Sequence, residues 1–169
     1  MIIWVLPFKL VFSQSEERPK IAAFQTTNTI QTNGILDESD WKNAEVIEDL
    51  KTVVPEEGGI PSNKTTVRIL VHPKYIAFGI ECFDDSPDLI VNYSKLRDSE
   101  LDNEDHIRLV IDPFLDGQSG LIFAVNASGA RYDALVSNRG ESENDDWDAI
   151  WEAETNIHAS GWTAQIRIP

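Results

Sequence analysis

Apolar and polar residues alternate along much of this chain with a period of two. Over residues 106–112, Ile107, Leu109 and Ile111 point one way and Arg108, Val110 and Asp112 the other, the pattern of a strand with one buried face. Residues 115–120 contain Asp116-Gly117 and a second glycine, which predicts a reversal into a strand over 121–126. A turn at 127–129 and a strand over 132–137 complete an antiparallel meander. Such a meander needs a second sheet over its apolar face. The same alternation supplies candidates: 65–71, a turn at His72-Pro73-Lys74, and 75–83, with Ile76, Phe78, Ile80 and Cys82 on one face. A short first strand over 21–30 and a last pair over 147–157 and 162–168, joined by Ala159-Ser160-Gly161, finish the set.

Helix signals are sparse. Asp37 is placed as an N-cap for one helical turn, with Leu36 stapling against Trp41, which makes Trp41 a structural plug under a sheet. Residues 55–61 form a Gly/Pro loop, and 84–104 are acidic and irregular. No internal repeat and no linker breaks the pattern, so residues 16–169 are predicted to form a single all-β sandwich. Residues 1–12 are mostly apolar and too short to span a bilayer; with Ser13-Gln14-Ser15 after them they read as a secretion signal over 1–15. An N-terminal strand or a mis-chosen start codon is the competing reading of the same residues.

Composition narrows the partners. The 169 residues carry 29 Asp and Glu against 14 Lys and Arg, a formal charge of −15, which repels nucleic-acid phosphates and anionic lipid heads. A neutral ligand or a divalent cation suits such a surface, as does plain solubility. Cys82 is the one cysteine, so the chain holds no internal disulfide, and its apolar neighbours predict a buried thiol.

Candidate chemistry follows from the polar residues. Zinc hydrolysis needs clustered His or Cys, whereas His72, His106 and His158 are scattered; haem ligation finds only Met1 as a methionine. Glycosidase chemistry needs two carboxylates flanking one bond, and among so many acids the mere presence of pairs carries no information. Calcium fits better: Asp84, Asp85 and Asp88 leave a predicted strand and Asp105 opens another, so a fold joining those ends offers several oxygen ligands. A solvated acidic rim is the competing reading. Trp147 and Trp151 share a face with Ala149 between them; exposed, they would form a platform for sugar rings, although a period-two pattern with Ala favours burial.

The order Asn33-Gly34-Ile35-Leu36-Asp37-Glu38-Ser39-Asp40-Trp41, then Thr66-Val67-Arg68-Ile69-Leu70 with Tyr75-Ile76-Ala77, then Asp105 seven residues before Asp112, then Gly161-Trp162-Thr163-Ala164-Gln165-Ile166-Arg167-Ile168-Pro169, resembles the carbohydrate-binding module family 9-like domain. The resemblance runs from Ile30 to Pro169, in the version that forms the N-terminal domain of large exported bacterial proteins. It implies an immunoglobulin-like or jelly-roll antiparallel β-sandwich, non-catalytic, that binds an oligo- or polysaccharide and works with hydrolases acting on glycosidic bonds in carbohydrate breakdown. It also implies export and a larger C-terminal domain or partner chain. Asp105, Arg108 and Asn126 fall on its sugar-site positions, and Trp147 joins them as the platform candidate. The chain departs from the family where Asp102 stands in place of a stacking tryptophan, Ala124 in place of an arginine and Arg108 in place of a glutamate. Gln165 replaces a usual glutamate and Asn33 a usual aspartate. The alternative is a β-sandwich that docks on a partner domain and binds no sugar.

Overall fold

The computed structural model describes residues 20–169, and the leader expected over 1–15 lies outside the described residues. Among the described residues, no helix is long and apolar enough to cross a membrane. There are nine strands among the described residues, in chain order β1 (Phe24–Gln25), β2 (Thr65–His72), β3 (Tyr75–Phe83), β4 (His106–Ile111), β5 (Gly120–Asn126), β6 (Arg131–Ser137), β7 (Ser142–Asn144), β8 (Glu152–His158) and β9 (Gly161–Ile168). They make a five-stranded sheet of order β1-β2-β3-β9-β8 and a four-stranded sheet of order β4-β5-β6-β7. All pairings are antiparallel except β1 with β2. This is the all-β sandwich that the alternation predicts.

The core lies between the sheets. Phe78, Ile80 and Cys82 from β3 and Trp162, Ala164 and Ile166 from β9 meet Phe123 and Val125 of β5, with Ile107, Leu109 and Ile111 of β4 packed against them. Every one of these sits at a period-two position of its strand, which is why the inward face was readable from sequence. Burial pushes the Cys82 thiol up to about 12, so it behaves as a small apolar side chain.

The outer face of the five-stranded sheet is covered in part by residues 28–44. Trp41, 1 % exposed, packs with Ile30, Leu70 and Ala77, and Leu36 closes over it, as the staple predicts. Gly79 of β3 gives the indole room: a Cβ there would stand 2.8 Å from Trp41 Cε3 and Cζ3. Gln165 fastens the approaching loop. Its Oε1 accepts the N–H groups of Asn33 (2.7 Å) and Gly34 (2.9 Å), and its Nε2 donates to the Ile35 carbonyl (2.9 Å). Gly34 is required by its φ of +77° and by a backbone approach that would leave a Cβ 2.8 Å from the Thr155 carbonyl carbon.

Four local expectations are corrected. Of the first strand only Phe24–Gln25 is a strand, with the Thr26 N–H adding one bond to the Val71 carbonyl (2.9 Å), and past it the Asn28 side chain turns onto Asp40. The helical turn, α1 (Ser39–Asn43), has Glu38 rather than Asp37 at its N-cap, with no side-chain cap bond. Residues 147–151 belong to no strand, and the last-but-one strand is Glu152–His158 alone. Residues 142–144, where the alternation predicts no strand, form β7, paired with Leu135–Ser137.

Candidate functional site

The meander places Arg108 of β4, Ala124 of β5 and Tyr132 of β6 in one row, directly paired, on the outer face of the four-stranded sheet. Phe123 and Val125 point inward, so the residues between and before them point out. Beside this row opens a cavity of about 300 Å³, walled by Asp98, Glu100 and Asp102 on one side and by Glu143 and Asp145 on the other, with His106 at its end. The volume falls at the lower end of small-molecule sites, roughly 300–1,000 Å³.

Its central polar groups are already tied together. Arg108 Nη2 pairs with Glu143 Oε2, the Tyr132 hydroxyl donates to Glu143 Oε1, and the guanidinium carbon of Arg108 sits 5.8 Å from the centroid of the Tyr132 ring. Burial, then the Glu143 carboxylate, push the Tyr132 phenol well above its ordinary value, so it stays a donor. His106 has its Nδ1 2.9 Å from the Glu104 carbonyl. What faces the cavity is one paired cation, a phenol and a set of carboxylates. Carboxylates accept hydrogen bonds from hydroxyl groups and repel anions.

The other candidate residues lie elsewhere. Asn126 is on the same outward face but wholly buried: its Nδ2 donates to Ser94 O (2.9 Å) and Glu104 Oε2 (2.8 Å), and its Oδ1 accepts the N–H groups of Ser128 (3.1 Å) and Ala130 (2.8 Å). Its amide is committed to the loops and is not presented to a ligand at the surface. Asp105 Oδ2 accepts the Val91 N–H (2.7 Å), which ties the irregular segment to the start of β4. Trp147 is half-buried on the core side, its ring edge-on to Phe123 with centroids 6.3 Å apart, and Trp151, 3 % exposed, lies 5.2 Å from the same ring. Burial therefore takes Trp151 entirely and most of Trp147.

For calcium, Asp84 Oδ1 accepts the Ser86 N–H (2.6 Å), and Asp84, Asp85, Asp88 and Asp105 supply no three oxygens within 4.8 Å of one another. Among the described residues, the acidic group that does converge is Asp98, Asp133 and Asp148. Arg97 occupies it: its Nη2 is 2.7 Å from Asp133 and 2.9 Å from Asp148, and its Nε is 3.4 Å from Asp98. Burial pushes the Asp98 carboxyl up, Asp133 and Asp148 add to the shift, and Arg97 opposes it. Asp133, fully buried, also accepts the Trp151 indole N–H (3.0 Å) and the Ala149 N–H (2.6 Å), so it holds the 147–151 segment against the sheet.

Sequence reasoning missed Tyr132 and Glu143 as site residues. Counting back from the 127–129 turn would have set Tyr132 opposite Ala124 and thus beside Arg108; Glu143 carried no such signal, since its strand is three residues of polar sequence.

The sandwich, with a polar cavity on the outer face of its smaller sheet, has a fold shared with solved carbohydrate-binding-type structures. It is similar to the crystal structure of a protein from Bacteroides uniformis proposed to bind carbohydrate, with a TM-score of 0.66, 12 % identity, and 87 % of this chain and 71 % of that one covered. It is also similar to a carbohydrate-binding module of family 9 from Caldicellulosiruptor kristjanssonii in complex with cellotriose, with a TM-score of 0.60, 13 % identity, and 88 % and 67 % covered. No protein-family model and no curated protein matches the sequence.

Proposed function

We propose that this chain is a non-catalytic carbohydrate-binding module of an exported protein that serves carbohydrate breakdown, and that the sugar lies in the cavity above Arg108 and Tyr132. The observation that carries the reading is the shared fold together with a cavity of about 300 Å³ on the outer face of the four-stranded sheet. Acceptor carboxylates around a tied Arg–Glu–Tyr group suit a neutral, hydroxyl-rich ligand and disfavour uronates and sulfated glycans. Attachment to a glycoside-active enzyme or to a larger C-terminal domain belongs to the same proposal, on the sequence resemblance alone. A glycan array tests it: the wild type should bind neutral glycans and lose them on Arg108→Ala with its melting temperature kept within a few degrees. Equal binding by the variant would remove the cavity from the account.

A second reading is favoured by one loop. Asp112 and Asp116 each accept several backbone N–H groups of residues 114–119, and the loop so fixed exposes Phe114 (78 %) and Leu115 (82 %) beside a mostly apolar groove of about 330 Å³. That surface supports the domain as a docking module for a partner domain. Silence of folded protein across the array, with loss of partner capture on Phe114→Ser, is the outcome that favours it.

Calcium held by Asp84, Asp85, Asp88 and Asp105 also stands as a proposal, on the placement of these acids in the sequence alone. Millimolar calcium should then raise the melting temperature beyond matched sodium chloride, and Asp84→Asn should cancel the difference. Equal shifts in both salts would remove it.

A further inference from the structure

A second cavity, of about 280 Å³, lies on the opposite side of the molecule, over the outer face of the five-stranded sheet and beside α1. Its chemistry differs from that of the first. Lys42 and Arg68 face Asp37 and Glu81, so in a chain of formal charge −15 its wall carries as many cations as anions. Arg68 and Glu81 stand on neighbouring strands, and the floor continues through Thr163 of β9 to Asn156 of β8.

These groups have unspent hydrogen-bonding capacity. Among the described residues, the side chains of Glu81, Asn156, Lys42 and Asp37 make no hydrogen bond or ion pair, and Arg68 makes one long bond, 3.4 Å, to the Thr66 hydroxyl. Trp41, 1 % exposed, belongs to the same wall, and its indole N–H is buried without an acceptor. A buried polar group left unpaired is uncommon and calls for a partner. In the first cavity, by contrast, Arg108, Tyr132 and Glu143 are satisfied by one another.

From this geometry we propose that the cavity between α1 and the five-stranded sheet is a second carbohydrate site, for a short neutral sugar, which makes the domain bivalent. The inference rests on the reading of the domain as a sugar binder. Balanced charge excludes a preference for either ion. Planar donors and acceptors around one cavity, Arg68 with Glu81 and Asn156, match the hydroxyls of a pyranose, each of which both donates and accepts. Ile35 and Leu36 add apolar surface for its C–H groups. Two sites on opposite sheets would let one domain bridge two glycan chains, raising avidity without any change in either site.

The test is a titration of 15N-labelled protein with cellotriose, read at the amides of Thr66, Glu81 and Thr163 for this cavity and of Arg108, Ala124 and Tyr132 for the other. Saturable shifts in both sets are expected, with the Arg68→Gln, Glu81→Gln double variant losing only the first and Arg108→Ala only the second. Shifts confined to the Arg108 set overturn the second site and leave the proposed function standing. Shifts confined to the Glu81 set support the second site and overturn the placement of sugar at Arg108. No saturable shift in either set overturns both for this glycan. Melting curves of each variant establish that the protein under titration is folded.

Discussion

Asn126, Asp133, Gln165 and Asp40 are polar, buried and each bonded to a segment that has no regular structure of its own. Together they explain how irregular stretches of an acidic chain are held in one conformation: Asn126, Asp133 and Gln165 satisfy backbone groups that no ladder reaches, and Asp40 gathers the side chains of Thr26 and Asn28. Asn126→Asp is a sharp probe, because it would set a carboxylate against the Ser94 carbonyl and the Glu104 carboxylate where two N–H donors now sit. It should cost roughly 2–3 kcal/mol in urea unfolding at neutral pH. Stability unchanged within error would mean that the amide is not a keystone. Two carboxyls set the response to acid. The Thr26 hydroxyl, with Asn28 and Ser39, holds Asp40 below its ordinary 3.8 in spite of burial. For Glu104 burial pushes upward, and hydrogen bonds from Ser94 and Asn126 outweigh it and hold the group below its ordinary 4.5. A carboxyl depressed in the folded state binds its proton more weakly there than in the unfolded chain, so its stabilisation is complete above about pH 5 and is lost as pH falls through the depressed values. Thermal melts from pH 7 to pH 3 should therefore fall steeply below about pH 5, and less so in Thr26→Ala. Neither role was legible in the sequence, since a carboxyl in a helical turn or an irregular stretch reads as solvated until the segment that packs on it is known.

At the scale of elements, the plug under the five-stranded sheet was readable because Leu36 and Trp41 are five apart around a capping signal, whatever residue caps the turn. Trp41→Ala should destabilise the domain by roughly 3–5 kcal/mol, as for an emptied aromatic site. Gly79→Ala should cost roughly 1–3 kcal/mol by the opposite fault, since its methyl would meet the indole. A double variant less destabilised than the sum of the two would establish the contact as the cause. Six strands, β2 to β6 and β9, were legible to within a residue, whereas β1 and β8 are shorter than the alternation predicts; β7 was not legible, because its residues are all exposed and it exists only through pairing with β6. The paired tryptophans illustrate the other limit: their shared face was correct, but the segment that carries them is pinned by Asp133 rather than by a ladder.

For the whole molecule, two sheets with alternating faces enclose one core, and their outer faces are left for other work. The five-stranded sheet is partly covered by residues 28–44, and the four-stranded sheet is partly covered by residues 91–104, which leave a cavity on each. The fold class could be argued from periodicity alone, whereas the sites could not, because both cavities are made where loops fail to cover a sheet. The central claim is that sugar binds beside Arg108 and Tyr132 without being cleaved. Isothermal titration with a neutral oligosaccharide such as cellotriose, on the wild type and on Arg108→Ala, tests it most directly. The account predicts saturable heat for the wild type with the ligand recovered at its original length, and a loss of at least one site in the variant while its melting temperature holds. Absence of heat from folded wild-type protein across neutral glycans, or shortened ligand after incubation, would contradict it.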